Sequence, residues 1–251
     1  YYSVDEEQQK KIDAYAEVLL GKIHSVTGFA IAALAPARLQ SGSGKCTFAV
    51  NRRENTEKEV PALRGKGLLK GPSDHDVPVL SVRSEDGDLR AVLFGYACHA
   101  TVLGGQEWNG DYPGYAQAAL EKQYPGAIAL FWAGCGGDQN PVPRREITLA
   151  EQYGAELAAR VGDVLKATMP ELSPRLETRY REIAAPLDPL PTLSQLQENA
   201  TSHNRFEVAR AKFLIRKLEK KGALEGSYPY PIEVWNLGDT IDFVFLGGEV
   251  V

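Results

Sequence analysis

Residues 77–101 read VPVLSVRSEDGDLRAVLFGYACHAT, and this stretch decides the fold. Val77–Val82 and Arg90–Ala97 are apolar runs of strand length, and Glu85-Asp86-Gly87-Asp88 between them has turn chemistry, so the pair predicts a hairpin. The second run delivers Cys98-His99-Ala100-Thr101. Downstream, a helix is expected over about 115–123. Ala127–Trp132 is too short and too apolar for a surface helix and reads as a buried strand. It empties into Ala133-Gly-Cys-Gly-Gly-Asp-Gln-Asn-Pro141. Leu149, Tyr153, Leu157, Val161 and Leu165 recur at helical spacing and predict a helix over roughly 148–168. Hairpins mixed with helix-covered strands indicate an α/β class, a layered fold with a mixed β-sheet covered by helices.

Towards the start, Asp5-Glu6-Glu7 opens a helix with acidic residues where the dipole favours them. Ile12, Tyr15, Ala16, Leu19 and Ile23 mark its apolar face. Gly28 is read as its end, with Phe29–Leu34 as a buried strand, 41–45 as a turn and Cys46–Val50 as a short strand. Residues 54–76 are polar and rich in Gly, Pro and Lys, the composition of a long surface loop. Towards the end, 175–187 reads as a strand and 193–221 as one long charged helix with Ala209, Phe213 and Leu214 inward. A second hairpin is expected from 232–236 and 240–246.

The 251 residues are 43% hydrophobic and 24% charged, which excludes a disordered, collagenous or coiled-coil chain. The net charge of −5 argues against a general nucleic-acid binder, and no run reaches the roughly 18 apolar residues of a membrane span. Three cysteines without a C-x-x-C pair make no disulfide framework. Tyr1 opens into polar sequence without the pattern of a leader.

Of the four histidines, His99 stands where an apolar strand gives way to a polar loop, the place where α/β proteins put catalytic groups. An imidazole there ligates a metal or shuttles protons; the alternative is a half-buried ring bonded to a backbone carbonyl. His75, in Asp74-His75-Asp76, reads as a metal site or as a turn held by side-chain bonds. His24 ends a helix, and His203 takes no role. Gly134-Cys-Gly-Gly-Asp138 suits an oxyanion or phosphate, or simply a tight turn. Asn109-Gly110-Asp111 reads as a turn, with Asp111 open as a capping residue for the next helix. Glu249, just after an apolar strand, is a ligand, a base or a neutralised charge. Cys98 and Cys135 flank the strand ends, which leaves a cysteine nucleophile open.

Taken together, His99-Ala100-Thr101-Val102-Leu103, Gly110-Asp111-Tyr112-Pro113-Gly114-Tyr115-Ala116 and Gly137-Asp138-Gln139-Asn140-Pro141-Val142 resemble, in order and spacing, the motifs of the neutral, non-lysosomal ceramidases. Asn51-Arg52-Arg53 is similar to that family's Asn-Arg-Ser segment, and Gly247-Gly248-Glu249 to its Pro-Gly-Glu. The resemblance implies a zinc-dependent amidohydrolase acting on a ceramide-like or other N-acyl bond through a metal-activated water. It implies His99 and Glu249 as zinc ligands, Arg52, Asp138 and Asn140 as catalytic groups, and Asp111, Gly136, Gly137 and Gln139 as substrate-binding residues. It further implies a small-molecule or lipid substrate, peripheral contact with a membrane and an extracytoplasmic location, periplasmic or secreted.

Two departures stand out. The family's motif serine falls at Asn140, and its Thr-Ser-Met becomes Thr-Val-Leu, so another amide or ester substrate is expected rather than ceramide itself. The family's first histidine and its tyrosine find no match, and residues 1–251 are read as a single domain, an incomplete portion of a larger catalytic domain. The rival expectations are a non-catalytic binding module on the same fold and a metal-independent Cys/His or Asp/His hydrolase.

Overall fold

The computed structural model describes residues 4–248 and residue 250. The elements in chain order are α1 (Glu6–Ala32), β1 (Arg38–Lys45), β2 (Ala49–Asn51), α2 (Val60–Gly65), β3 (Asp76–Arg83), β4 (Leu89–Tyr96), α3 (Asp111–Gln123), β5 (Ile128–Ala133) and β6 (Gln139–Pro141). There follow α4 (Ile147–Lys166), β7 (Leu176–Pro186), α5 (Leu193–Asn199), α6 (Arg205–Lys221), β8 (Ser227–Leu237) and β9 (Ile241–Leu246). The chain divides into two compact units, one of residues 1–34 with 181–232, the other of residues 35–180 with 233–251.

The second unit carries a four-stranded sheet in the order β1-β3-β4-β5. The expected hairpin is present: β3 and β4 pair antiparallel with Val79 opposite Phe94 and Ser81 opposite Val92, and Gly87 takes the left-handed conformation in the turn. β5 pairs parallel to β4, with Phe94 opposite Phe131, because α3 intervenes between them as a crossover. The sheet is therefore mixed, and the structure bears out the α/β layered class.

Alternation along the strands sends Val77, Val79, Val92, Phe94, Tyr96 and Ala129 to one face, where they join Ala116 and Leu120 of α3 and Leu157 and Val161 of α4 in the main core. α3 and α4 approach closely at Gly154, where a Cβ would lie 2.4 Å from that of Tyr115 and 2.9 Å from the Tyr112 carbonyl oxygen. Leu157 is fully buried in this layer. Leu157→Ala should cost about 2–5 kcal/mol, read as a lower midpoint in denaturant unfolding.

Several expectations are corrected in this unit. Ala127–Trp132 is a strand, but an edge strand rather than a buried one: Ile128 is 59% and Leu130 46% exposed, because only alternate residues face the helices. Residues 41–45 are not a turn but the end of β1, whose polar composition belongs to the opposite sheet edge. The short strand expected at Cys46–Val50 begins only at Ala49 and pairs with β6. The stretch 54–76 contains α2 and is pinned, since Asn55 exchanges bonds with Lys70 in both directions at 2.7 and 2.9 Å. α3 starts at Asp111, four residues ahead of expectation, with Pro113 in its first turn, where a missing N–H costs nothing.

A three-stranded sheet, β7-β8-β9, follows, and the 240–246 hairpin strand is realised as β9. In the other unit α1 begins with a capping box, in which Asp5 accepts the Gln8 N–H at 2.7 Å. It runs past Gly28 to Ala32, so Phe29–Ala32 is helix and not strand; one interior glycine costs only about 1 kcal/mol in a helix. All the residues assigned to its apolar face are exposed. The single helix expected over 193–221 is two. Thr201, Ser202 and Asn204 turn their side chains onto local backbone and Glu207, and Asn204 caps α6 through the Phe206 N–H at 3.0 Å. Within α6 it is Ala211 that is buried, while Phe213 remains 44% exposed.

Candidate functional site

Because β4 and β5 run parallel, their C-terminal ends emerge on the same side of the sheet. One end delivers Ala97-Cys98-His99, the other Gly134–Asp138. The Gly134 N–H donates to the Tyr96 carbonyl at 3.1 Å, and the two segments then lie in backbone contact. β6 continues the second segment and pairs with β2, with Asn51 opposite Gln139, which brings Asn51-Arg52 alongside. His99, Arg52, Asp138, Gln139, Asn140, Gly136 and Gly137 are thus gathered at one strand-end cluster from segments up to 88 residues apart in sequence (51 to 139).

His99 is half buried. Its backbone N–H and its Nδ1 both meet the Gln139 carbonyl oxygen, at 3.0 and 2.9 Å. A carbonyl only accepts, so Nδ1 donates this bond, the arrangement in which a backbone acceptor orients an imidazole. Of the two readings left open for this ring, the structure shows the bond to a backbone carbonyl.

Arg52 donates from Nε and Nη2 to the Gly137 carbonyl at 3.1 and 2.9 Å, and its N–H donates to the Asp138 carbonyl at 2.7 Å. The Asp138 carboxylate accepts Asn51 Nδ2–H at 3.0 Å. Gln139 is buried, and its Oε1 accepts the Asp74 N–H at 2.9 Å. Asn140 is buried in β6 opposite Val50. Asp111 is buried too, and its oxygens accept the Leu103 and Tyr112 N–H groups at 2.8 Å each, so it closes the 103–111 loop and starts α3. Glu249 lies outside the described residues; the carbonyl of its neighbour Val250 accepts the Gly137 N–H at 3.1 Å.

Residues to which the sequence assigns no site role hold this cluster. Tyr96 donates to the Cys46 carbonyl at 2.7 Å, Tyr112 to the Cys98 carbonyl at 2.7 Å and Tyr153 to the Pro143 carbonyl at 2.8 Å. Their rings, with Phe48 at 4.6–5.1 Å from each, form an aromatic floor beneath the strand ends. Arg64 braces Phe48 and Val142 through their carbonyls at 2.9 and 2.7 Å. Asn51 accepts the Arg53 and Glu54 N–H groups and donates to Pro72, in addition to Asp138. The signal for the tyrosines was their place within the apolar pattern; nothing in it distinguished a hydroxyl donor from plain core.

Burial pushes the Cys98 thiol well up, with the Asp111 charge adding to it, so this sulfur stays protonated and is a poor nucleophile. Cys46 is raised for the same first reason. Cys135 is exposed. His75 bonds the Ala49 carbonyl at 3.0 Å through Nε2, and Asp74 accepts the Asp76 N–H, which is the turn rather than the metal reading of Asp-His-Asp.

Glu57 sits between Arg144 and Arg145, and Arg144 also reaches Thr101 Oγ1 at 3.4 Å, two residues from His99. Hydrogen bonds from the two guanidiniums hold the Glu57 carboxyl down at about 2, against an ordinary 4.5. A lowered carboxyl stabilises the fold above its unfolded value, and that contribution is lost as pH falls from 4.5 through about 2. Glu57→Gln should therefore flatten the fall of melting temperature between pH 5 and about pH 2, followed by circular dichroism.

Among the described residues no group of three or more His, Cys, Asp and Glu is placed to hold a metal. The donor chemistry of His99 fits a single zinc ligand, and the described residues by themselves do not complete a site.

The fold and site define a layered α/β protein with a histidine presented at the ends of parallel strands of a mixed sheet. Two solved structures that it resembles are ceramidases. One is a ceramidase in complex with C2, with a TM-score of 0.57 and 19% identity, covering 83% of this chain and 41% of that one. Another is the neutral ceramidase of Pseudomonas aeruginosa, with a TM-score of 0.57 and 19% identity, covering 83% of this chain and 40% of that one. The chain spans about two fifths of the length of each, and at this identity the likeness is one of fold. No family model matches the sequence, and no curated protein does.

Proposed function

We propose that this chain forms part of a zinc-dependent hydrolase that cleaves the amide bond of a ceramide-like or other N-acyl lipid. The observation that carries the reading is the placement of His99 at the ends of the parallel strands, with its Nδ1 bonded to the Gln139 carbonyl. The fold shared with ceramidases supports it. His99 Nε2 would hold the metal, with Glu249 assigned as a second ligand and the remaining donors coming from beyond the described residues. When bound, zinc supplies a water acidified towards a pKa of about 7 and polarises the scissile carbonyl.

The chain's own residues do the positioning. The Gln139 carbonyl, by accepting the Nδ1–H bond, keeps the His99 ring oriented. Arg52 and Asn51 fix the 137–138 backbone and the Asp138 carboxylate, which together with Asn140 are assigned to orient the substrate and balance charge on its oxygen. Gly136, Gly137 and Gln139 are assigned as the wall against which the amide lies, and Asp111 as the closure of the adjoining loop. An extracytoplasmic location and peripheral contact with a membrane belong to the same proposal. Among the described residues no helix is long and apolar enough to cross a membrane.

The test is metal analysis of the full-length protein together with hydrolysis of a panel of N-acyl amides and acyl esters, an N-acyl sphingosine among them. Stoichiometric zinc with release of fatty acid is the expected result. A protein without zinc that releases no fatty acid refutes the reading.

A further inference from the structure

Glu57, Arg144 and Arg145 take no part in the proposed reaction, yet each lies on a segment that leads out of the candidate site. Glu57 follows Arg52 by five residues, and Arg144 follows Asn140 by four. The hydroxyl that Arg144 meets, on Thr101, follows His99 by two. Arg144 donates from Nε and Nη2 to one Glu57 oxygen, Oε2, at 3.0 and 2.7 Å. Two bonds from one edge of a guanidinium fix its plane, and its remaining nitrogen, Nη1, then meets Thr101 Oγ1 at 3.4 Å.

Arg145 bonds both Glu57 oxygens from Nη1 and Nη2, and its backbone N–H donates to the Val102 carbonyl at 2.6 Å. It does so at φ +86°, where a residue with a Cβ is strained, so its surroundings must hold it there. An isolated surface ion pair contributes little, but a network with several bonds to one carboxylate is the exception. This one is partly shielded, with the Arg144 side chain 22% and the Glu57 side chain 34% exposed. One carboxylate thus fixes two arginines, and through them the side chain of residue 101 and the carbonyl of residue 102. The strand end is therefore tied at His99 by Gln139, at 101–102 by the arginines and at Leu103 by Asp111. We propose that Glu57 is a positioning residue for His99, acting by holding Arg144 and Arg145 against the 101–102 segment. The proposal rests on the hydrolase reading for the reaction that His99 serves, and it concerns a side chain to which that reading gives no role.

Two measurements separate the proposal from the reading beneath it. Full-length wild type, Glu57→Gln, Thr101→Val and the double variant are compared at neutral pH on the best substrate of the amide and ester panel. Glu57→Gln should lower kcat about tenfold with KM within about twofold, the low end of the loss on removing an outer partner of a metal ligand. Thr101→Val should lower kcat about threefold, and the double variant should fall no further than Glu57→Gln, because the two groups lie on one path. Wild-type kcat in either single variant, or losses that multiply in the double variant, overturns the proposal.

The second measurement does not need turnover. Isotopic labelling of histidine at Cε1 gives a magnetic-resonance signal for each ring, and His99→Ala identifies that of His99. Glu57→Gln should displace or broaden the His99 signal and leave in place that of His75, which the Ala49 carbonyl holds. Should Glu57→Gln fail to fold, Thr101→Val carries both measurements. Movement of both signals, or of neither, overturns the proposal. A displaced His99 signal in a protein that hydrolyses nothing in the panel removes the hydrolase reading and leaves the positioning standing.

Discussion

His99→Ala should abolish turnover and strip metal while leaving the fold in place. If Nε2 ligates zinc, its loss must exceed the roughly 10–100-fold that removal of an outer partner of a metal ligand costs, so activity should fall below about one hundredth of wild type. The fold should survive because the second bond at this position is made by backbone: the amide of residue 99 still donates to the Gln139 carbonyl, which therefore keeps a partner. Circular dichroism and the melting temperature should accordingly stay close to wild type while zinc per chain drops. The result separates the rivals. A binding module would lose neither metal nor turnover. A cysteine hydrolase would lose turnover on alkylation of exposed Cys135 without losing metal, since Cys98 is buried and held as the thiol. His99→Ala with full activity and full metal content would end the proposed mechanism.

The sequence made the middle of the chain legible and its flanks much less so, for physical reasons. β3, β4 and α4 were readable because each has one side against the core, so alternation or helical spacing appears directly in the residues. β1 was missed because an edge strand carries Ser and Gly, the residues of a turn. α1 was misread at Gly28 because an apolar Phe-Ala-Ile-Ala run fits either state, and its exposed face shows that period alone does not imply burial. The break between α5 and α6 was hidden by residues that serve equally in a polar helix face and in a cap. For the site, strand-end position and the ceramidase-like motifs found the cluster around His99. They did not disclose that Gln139 would act through its backbone carbonyl, because a main-chain acceptor leaves no trace in side-chain chemistry. Nor did they show Asp111 bonded to Leu103, or the three tyrosine hydroxyls beneath. The bond from His99 to Gln139 depends on the parallel β4–β5 pairing, which no single segment encodes.

That pairing also sets the largest structural effect expected at the site, at Gly136. A Cβ there would lie 2.7 Å from the Cys98 nitrogen, 2.9 Å from the Ala97 carbonyl carbon and 3.1 Å from the Cys98 Cα. All three are backbone atoms of the segment that carries His99, so no side chain can swing aside and the two strand ends must part. Overpacking of this kind costs about 1–3 kcal/mol, which for a chain of this size is a drop in melting temperature of roughly 2–12 °C. Gly136→Ala should therefore melt lower, and its activity should fall further than its stability, because the bonds from residue 99 to Gln139 span the same gap. Gly134→Ala, whose nearest contacts are 3.1–3.3 Å from Ala97 atoms, should be milder, and Gly104→Ala, with open space, neutral to melting. Differential scanning calorimetry of the three variants checks the order. If Gly136→Ala melts with wild type and keeps its activity, the contact of the two segments is not what holds His99 in place. A graded series with activity tracking the Gly136 contact ties the histidine's geometry to the close approach of two strand ends, and makes the glycine as necessary to the site as the ring it supports.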